Sequence, residues 1–156
     1  TCSWHEYYDA PVRVVIDTCV WVSAIRSRLG ASYQILAQIP RGKFRFGISV
    51  SLFLEHQQGL LNAVRQGHSR LTEKKVDAIL AALAHFCDEV PVYYRLRPNL
   101  KDPGDDMVFE CAANYGASHI VTFNVKDFEN SELKGYSIKV ITPGEFLEAL
   151  KGRRES

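Results

Sequence analysis

Acidic side chains follow apolar segments of this 156-residue chain at four places. They are Asp17 in VVID, Glu55 in SLFLEHQQ, Asp105 in DPGDD and Asp127 in TFNVKD. If the fold gathers them, a like-charged pair at about 4 Å costs on the order of 4 kcal/mol at an effective dielectric near 20. Such a cluster tolerates its charge by binding cations, and oxygen ligands suit Mg²⁺ or Mn²⁺ better than zinc. The acids therefore predict phosphoryl chemistry, as in a phosphodiesterase or nuclease.

The first two acids also have purely structural explanations. An Asp between a strand and a helix often caps the helix, so Asp17 could serve that purpose alone. Glu55 could lie on an exposed helix face beside Gln57 and Gln58. However, Asp17 ends a predicted strand, and Glu55 follows the apolar residues 52–54, where a carboxylate is costly without a partner or a metal. We therefore treat both as candidate metal ligands.

The other two acidic segments leave alternatives open. Asp102, Asp105 and Asp106 stand at the start of a predicted helix, where the helix dipole explains one or two acids but not three. The pattern itself chooses only weakly between Asp105 and Asp106. Asn124 and Asp127 follow a predicted strand, and an Asn can offer a carbonyl oxygen but no charge to a cation. A turn-forming Asn and a solvated Asp are the alternative here.

Alternating strands and helices must position these side chains. Apolar β-branched runs predict strands at 12–17, 44–49, 90–94, 118–123 and 136–142. Helical patterns predict helices near 19–29, 31–39, 49–64, 73–86 and 105–115, with a last helix opened by Pro143 and with Ser49 or Ser51 capping the third. This order predicts the α/β class: a three-layer α/β/α sandwich around a parallel sheet of about five strands. Ligands of such sheets bind beyond the carboxyl ends of the strands.

Composition limits the remaining possibilities. With 46% hydrophobic and 24% charged residues, we expect a single domain over 1–156, with a core at about 12–150 and extensions at 1–11 and 151–156. No segment predicts a membrane helix or a signal peptide. Four cysteines without a CxxC pair argue against a zinc ribbon and a redox motif, and favour a reducing, cytoplasmic compartment. A net charge of +1 means that any nucleic acid must meet a local basic surface.

Four blocks in order resemble the PIN domain family, and within it the VapC-like toxin ribonucleases of toxin–antitoxin pairs. The blocks are VVIDTCVWVSA, SLFLEHQQGL, DPGDDMVFECAANYGASHIVTFNVKDF and ITPGEFL, and the resemblance covers about 12–147. It implies an α/β/α sandwich that cleaves single-stranded RNA with Mg²⁺ or Mn²⁺. It also implies a cognate antitoxin as a possible partner, and a homodimer.

The resemblance assigns roles to the acids. Asp17 and Glu55 fall on the first two acids of the family. The third acid precedes the Gly of the helix-ending Gly-Ala by eleven residues, which selects Asp105 rather than Asp106. Under this interpretation Asp17, Glu55 and Asp105 hold the ion directly, and Asp106 is a supporting residue.

The sequence departs from the family pattern at two positions. Asn124 stands where many members have Asp, so Asp127, three residues later, is expected to take over or share the role of metal ligand. Cys19 stands where Asn commonly follows Asp-Thr, whereas Thr18 is kept and could hydrogen-bond to Asp17 or to a metal-bound water. Thr18 and Asn124 are therefore expected to be supporting residues.

Contacts to RNA would require basic or aromatic residues around the acids. The basic candidates are Arg26, Arg28 and Lys126, followed by Arg41, Lys43, Arg45, Arg95, Arg97 and Lys101, although each alone could be a solvated charge. Tyr93, Tyr94 and Trp21 could stack on bases, but core packing is expected for most aromatic residues.

Neither candidate histidine is predicted to act as a general acid. His56 adjoins Glu55, and successive helical residues point apart, so we expect His56 at the surface. His119 opens a strand and is expected to be structural.

Three other functions compete with the nuclease hypothesis. An aspartyl-phosphate phosphatase similar to the haloacid dehalogenase group requires an Asp two residues after Asp17, where this chain has Cys19. A receiver-type module requires its phosphorylated Asp on a later strand. The third is a degenerate PIN domain that binds RNA or a protein partner without cleavage, and Asn124 favours it.

Overall fold

A computed structural model describes residues 11–94, 103–128 and 136–155 of the chain. Five parallel strands form one sheet in the order β3-β2-β1-β4-β5. Their bounds are Val12–Ile16 (β1), Phe44–Ile48 (β2), Asp88–Glu89 (β3), His119–Val121 (β4) and Lys139–Ile141 (β5). The three-layer α/β/α sandwich with about five parallel strands is thereby confirmed.

In the part of the chain that the structure describes, six α-helices connect and follow the strands. They are Thr18–Arg26 (α1), Ala31–Gln38 (α2), Val50–Arg65 (α3), Glu73–Phe86 (α4), Pro103–Tyr115 (α5) and Pro143–Glu155 (α6), with short 3-10 helices at Ile39–Arg41 and Val125–Phe128. The predicted cap of α3 is confirmed, since the Ser49 hydroxyl accepts from the amide of Leu52 at 3.3 Å. None of the helices in the described ranges is long and apolar enough to cross a membrane.

A predicted helix and a predicted strand differ clearly from the elements of the structure. The helix predicted at 19–29 ends at Arg26, because the backbone becomes extended at Ser27. The strand predicted at 90–94 is wrong, since β3 spans Asp88–Glu89 instead. The Val90 amide still bonds to the Ile48 carbonyl at 3.1 Å, but the next residue is Pro91, which has no amide hydrogen to continue the ladder.

The strand order creates a switch point beside the central strand β1. From β1 the chain moves outward through β2 to β3, and then crosses to β4 and β5 on the other side. Ile16, the last residue of β1, is paired with Val121, the last residue of β4. Parallel sheets bind ligands outside the carboxyl ends of the strands at such a point. The loops after Ile16 and Val121 are therefore the expected location of a ligand site.

The core lies between the sheet and its covering helices. Helix α5 contacts β1, β2 and β4 as well as α3, and α3 also contacts α1. Trp21 of α1 is 1% exposed and meets the ring of Phe46 edge-on, with centroids 6.3 Å apart. Core packing, rather than base stacking, is therefore the role of Trp21.

A polar cluster fixes the carboxyl end of α5 to the β2–β3 edge. Arg45 donates two hydrogen bonds to Asp88, one of them at 2.8 Å from Nε, and the Tyr115 hydroxyl also donates to Asp88. The Arg45 hydrogen bond is the main reason why the pKa of Asp88 is lowered. Gly47 permits this packing, since a Cβ there would lie 2.7 Å from the Tyr115 ring. We call Arg45, Asp88 and Tyr115 the Asp88 cluster.

Candidate functional site

Asp17 lies at the switch point and is 8% exposed. Its amide continues the β1–β4 ladder by donating to the Val121 carbonyl at 2.9 Å. Although Asp17 occupies the N-cap position of α1, its side chain makes no capping hydrogen bond. Its Oδ2 instead accepts from the Thr122 hydroxyl at 2.8 Å and from the Cys19 thiol at 3.5 Å. The helix-capping explanation of this acid is therefore wrong.

Thr122 is a site residue that the sequence analysis missed. It is fully buried, and its amide pairs with the Ile141 carbonyl of β5 at 2.9 Å, which turns its hydroxyl toward Asp17. The same hydroxyl oxygen accepts from the amide of Asn124 at 3.0 Å. The only signal for it was its position, directly after a strand adjacent to β1.

Cys19 contributes a neutral thiol beside Asp17. Burial, and then the charge of Asp17, raise the pKa of Cys19 to about 11. The thiol therefore stays protonated at neutral pH and can donate to the carboxylate. Its sulfur also lies 3.6 Å from the Thr122 hydroxyl oxygen, so the three side chains form one hydrogen-bonded group.

Helix α3 carries Glu55 and His56 toward the start of α1. Glu55 is half-buried. The prediction of a surface position for His56 is wrong, because His56 is fully buried and its Nδ1 lies 2.7 Å from the Thr18 hydroxyl oxygen. Burial lowers the pKa of His56 to about 3. The error has a simple reason: His56 shares a helix face with Leu52 and Leu60, both of which are buried.

Helix α5 buries more acids than expected. Asp105 and Asp106 in its first turn are 8% and 3% exposed. Glu110, which the sequence analysis missed, is 2% exposed and lies one helical turn after Asp106. That four-residue spacing was the available signal, since it puts two acids on one face of the helix. Asp102 lies outside the described residues.

The last acidic element is near the site in sequence but exposed in the structure. Asn124 and Asp127 follow β4, and both side chains are exposed. The Asp127 amide donates to the Asn124 carbonyl at 3.0 Å, which forms the turn before the 3-10 helix. Phe128 is buried and anchors this turn to the core. Asp127 is thus a solvent-exposed carboxylate in the turn after β4.

The described residues do not form a complete metal cage. Within residues 11–94, 103–128 and 136–155, no three Asp, Glu, His or Cys side chains stand together so as to hold a metal ion. The available donors do suit a hard divalent cation, since Asp17, Glu55 and Asp105 offer carboxylate oxygens. Asp17 and Asp105 are buried, where carboxylate charge is costly unless it is compensated.

The basic candidates differ in their surroundings. Arg26, Arg28 and Lys126 are exposed and accessible to a ligand, whereas Arg45 belongs to the Asp88 cluster. Arg95, Arg97 and Lys101 lie outside the described residues. Tyr93 and Tyr94 are 78% and 70% exposed, so the expectation of core packing is wrong for these two.

Fold and site together define an α/β protein with the buried carboxylate of Asp17 at the switch point of a parallel sheet. A sequence profile described as "PIN domain" matches residues 13–126, which is more than half of the chain. The chain therefore belongs to the PIN domain family. No protein with a curated description matches it.

A solved structure supports the same fold. A chain in the crystal structure of VapBC2 from Rickettsia felis bound to a DNA fragment from their promoter superposes with a TM-score of 0.53 and 14% identity. The match covers 84% of this chain and 98% of that one. At this identity the likeness concerns the fold alone.

Proposed function

We propose that this protein is a metal-dependent endoribonuclease that cleaves single-stranded RNA. One observation carries the proposal: the carboxylate of Asp17 is buried at the switch point, held by Thr122 and Cys19, and not used to cap its helix. In a PIN domain, a buried acid that does not cap its own helix supports a catalytic role for that acid. The proposed catalytic residues are Asp17, Glu55, Asp105 and Asp127.

These four carboxylates would also hold the ion, Mg²⁺ or Mn²⁺. Thr18, Asn124 and Asp106 would support them. The half-buried Glu55 and the exposed Asp127 have room to change rotamer, so an ion seated on Asp17 could draw them in. When bound, the ion would supply Lewis-acid stabilisation of charge on the phosphodiester and its leaving oxygen.

The chain's own residues would position the substrate. Arg26 and Arg28 are exposed near the end of α1, and Lys126 is exposed directly before Asp127. Contacts from such side chains to phosphates orient a nucleic acid without reading its sequence. Thr122 and Cys19 would keep the Asp17 carboxylate in one orientation while the strand binds.

We further propose that the protein is the toxin of a toxin–antitoxin pair, acting in the cytoplasm as a homodimer. The resemblance to toxin ribonucleases and the fold likeness to a chain of the VapBC2 structure support an antitoxin partner. Cys19, Cys87 and Cys111 are free thiols, in keeping with a reducing compartment.

A second candidate function is binding of RNA or a protein without cleavage. It is favoured by Asn124, by the exposure of Asp127, and by the incomplete metal cage among the described side chains. The two functions predict different results in an RNA cleavage assay. Only the nuclease forms cleavage products, and it requires a divalent ion to do so.

The decisive experiment is a cleavage assay on fluorescent single-stranded RNA with Mn²⁺, Mg²⁺ or EDTA. We expect metal-dependent products, and a loss on the order of 100-fold in Asp17→Asn, because Lewis-acid stabilisation is worth several kcal/mol and each 1.4 kcal/mol is tenfold. Asp77→Asn, at an exposed position of α4, is the matched control. Binding of RNA or a partner without cleavage under any metal would favour the second function.

A further inference from the structure

Both branches of the Thr18 side chain contact helix α3. The Thr18 hydroxyl oxygen lies 2.7 Å from Nδ1 of His56. The Thr18 methyl faces Gly59, where an added Cβ would lie 2.6 Å from Thr18 Cγ2. His56 and Gly59 are three residues apart, so they are neighbours on one helix face. Thr18 is therefore held by one hydrogen bond and one close packing contact.

A histidine at position 56 costs free energy that an apolar residue would not. It is fully buried, and its Nε2 has no hydrogen-bond partner among the described residues. A buried, unsatisfied polar atom costs free energy that leucine would not. Since an apolar residue would pack there at lower cost, the bond from Nδ1 to Thr18 is the contribution specific to histidine.

The contact joins two acids through their immediate neighbours. Thr18 directly follows Asp17, and His56 directly follows Glu55. A fixed contact between Thr18 and His56 therefore sets how far Glu55 on α3 lies from Asp17 at the end of β1. Helices α1 and α3 pack extensively against each other. A shift of α3 relative to α1 would therefore move Glu55 together with the whole helix.

We propose that His56 is a positioning residue: together with Gly59 it fixes Thr18, and thereby the spacing between Asp17 and Glu55 on which divalent-cation binding depends. The binding of a cation by Asp17 and Glu55 rests on the proposed function, whereas the placement of α3 against α1 does not. Groups that orient metal ligands typically change metal affinity by about 10- to 100-fold when they are removed.

Variants at Thr18 and His56 separate the hydrogen bond from the packing. Thr18→Val keeps the shape and removes the hydroxyl, and His56→Leu keeps most of the volume and removes Nδ1. We expect each to weaken Mn²⁺ binding about 10-fold, measured by electron paramagnetic resonance of free Mn²⁺, and the double variant to be no weaker than either single.

His56→Asn provides the conservative rescue. Its amide can restore a bond at the place of Nδ1, but the smaller side chain leaves a cavity. We expect Mn²⁺ affinity within about 3-fold of the wild type together with a lower melting temperature than that of His56→Leu. Affinities that instead follow the melting temperatures, or that are equal in all variants, would overturn the proposal.

The packing contact has its own test. Gly59→Ala puts a methyl group against Thr18 Cγ2 and is expected to lower Mn²⁺ affinity about 10-fold. Adding Thr18→Ser removes Cγ2 but keeps the hydroxyl, so the double variant should recover most of the loss. No recovery would overturn the claim that Gly59 acts through Thr18.

A metal-free measurement distinguishes failure of this proposal from failure of the proposed function. Residual dipolar couplings of the α3 amides report the orientation of α3 against the sheet. They should fit one orientation in the wild type and depart from it in Thr18→Val. If the wild-type protein binds no Mn²⁺, the proposed function fails. Unchanged couplings in Thr18→Val would overturn the placement of α3 by Thr18 and His56, whether or not Mn²⁺ binds.

Discussion

Asp17 and Asp88 both adjoin the parallel sheet, and they differ in the side chains of the described residues that donate to them. Asp88 accepts from the guanidinium of Arg45 and from the Tyr115 hydroxyl, so its negative charge meets a positive charge within the chain. Asp17 accepts from the hydroxyl of Thr122 and the thiol of Cys19, which are neutral donors. Asp17 is also the more buried of the two.

This difference separates a structural acid from a candidate catalytic one. A charge-assisted bond to arginine satisfies a carboxylate and stabilises the fold, here by joining β2, β3 and the end of α5. Hydroxyl and thiol donors orient a carboxylate but contribute no full positive charge, so they are compatible with an added cation. Among the contacts that the described residues make, the nature of these donors distinguishes the two acids.

The largest effect within this comparison is expected from the removal of the Thr122 hydroxyl. Thr122→Val should weaken Mn²⁺ binding and RNA cleavage by about 10- to 100-fold, because Asp17 loses the bond that orients it. Thr122→Ser keeps the hydroxyl and is the matched control. Equal Mn²⁺ affinity in the Val and Ser variants, measured by calorimetric titration, would contradict an orienting role.

A substitution in the Asp88 cluster should affect the stability of the fold rather than RNA cleavage. Asp88→Asn is expected to lower the free energy of unfolding by about 1 kcal/mol and to leave RNA cleavage within about 3-fold of the wild type, since it changes no proposed ligand. Urea unfolding and the cleavage assay check the two halves. A large loss of cleavage without loss of stability would break the comparison.

The stabilisation by Asp88 should also depend on pH. The pKa of Asp88 is lowered in the folded protein, first of all by the Arg45 hydrogen bond. A lowered folded pKa means that the contribution is present above the unfolded pKa, near 4, and is lost as the pH falls through the folded pKa. The stability difference between wild type and Asp88→Asn should therefore narrow in acid, and a difference that widens would contradict this sign.

The smallest effect is expected at Cys19. Because burial and Asp17 raise the pKa of its thiol to about 11, Cys19 should remain protonated and react slowly with iodoacetamide at pH 8. Cys19→Ser keeps a neutral donor, so Mn²⁺ affinity should change by less than about 3-fold. Rapid alkylation of Cys19, identified by mass spectrometry, would contradict a buried neutral thiol.

Local pattern was sufficient to predict the layers of the fold and the first acid. Apolar β-branched runs and helical periodicity mark buried strands and amphipathic helices, and a strand that ends in Asp predicts an acid at the carboxyl edge of the sheet. Asp17 was predicted for this reason. The early end of β3 was not predicted, although Pro91 carried the signal.

Partners distant in the chain depended on the tertiary structure. Thr122 bonds to Asp17 across 105 positions, and His56 bonds to Thr18 across 38. Periodicity reports which face of an element is apolar, but it carries no record of which neighbour that face will meet. The sequence could thus indicate that Asp17 lies at the carboxyl edge of the sheet. Only the packing of β4 and α3 beside the end of β1 decided which side chains orient Asp17 and its neighbour Thr18.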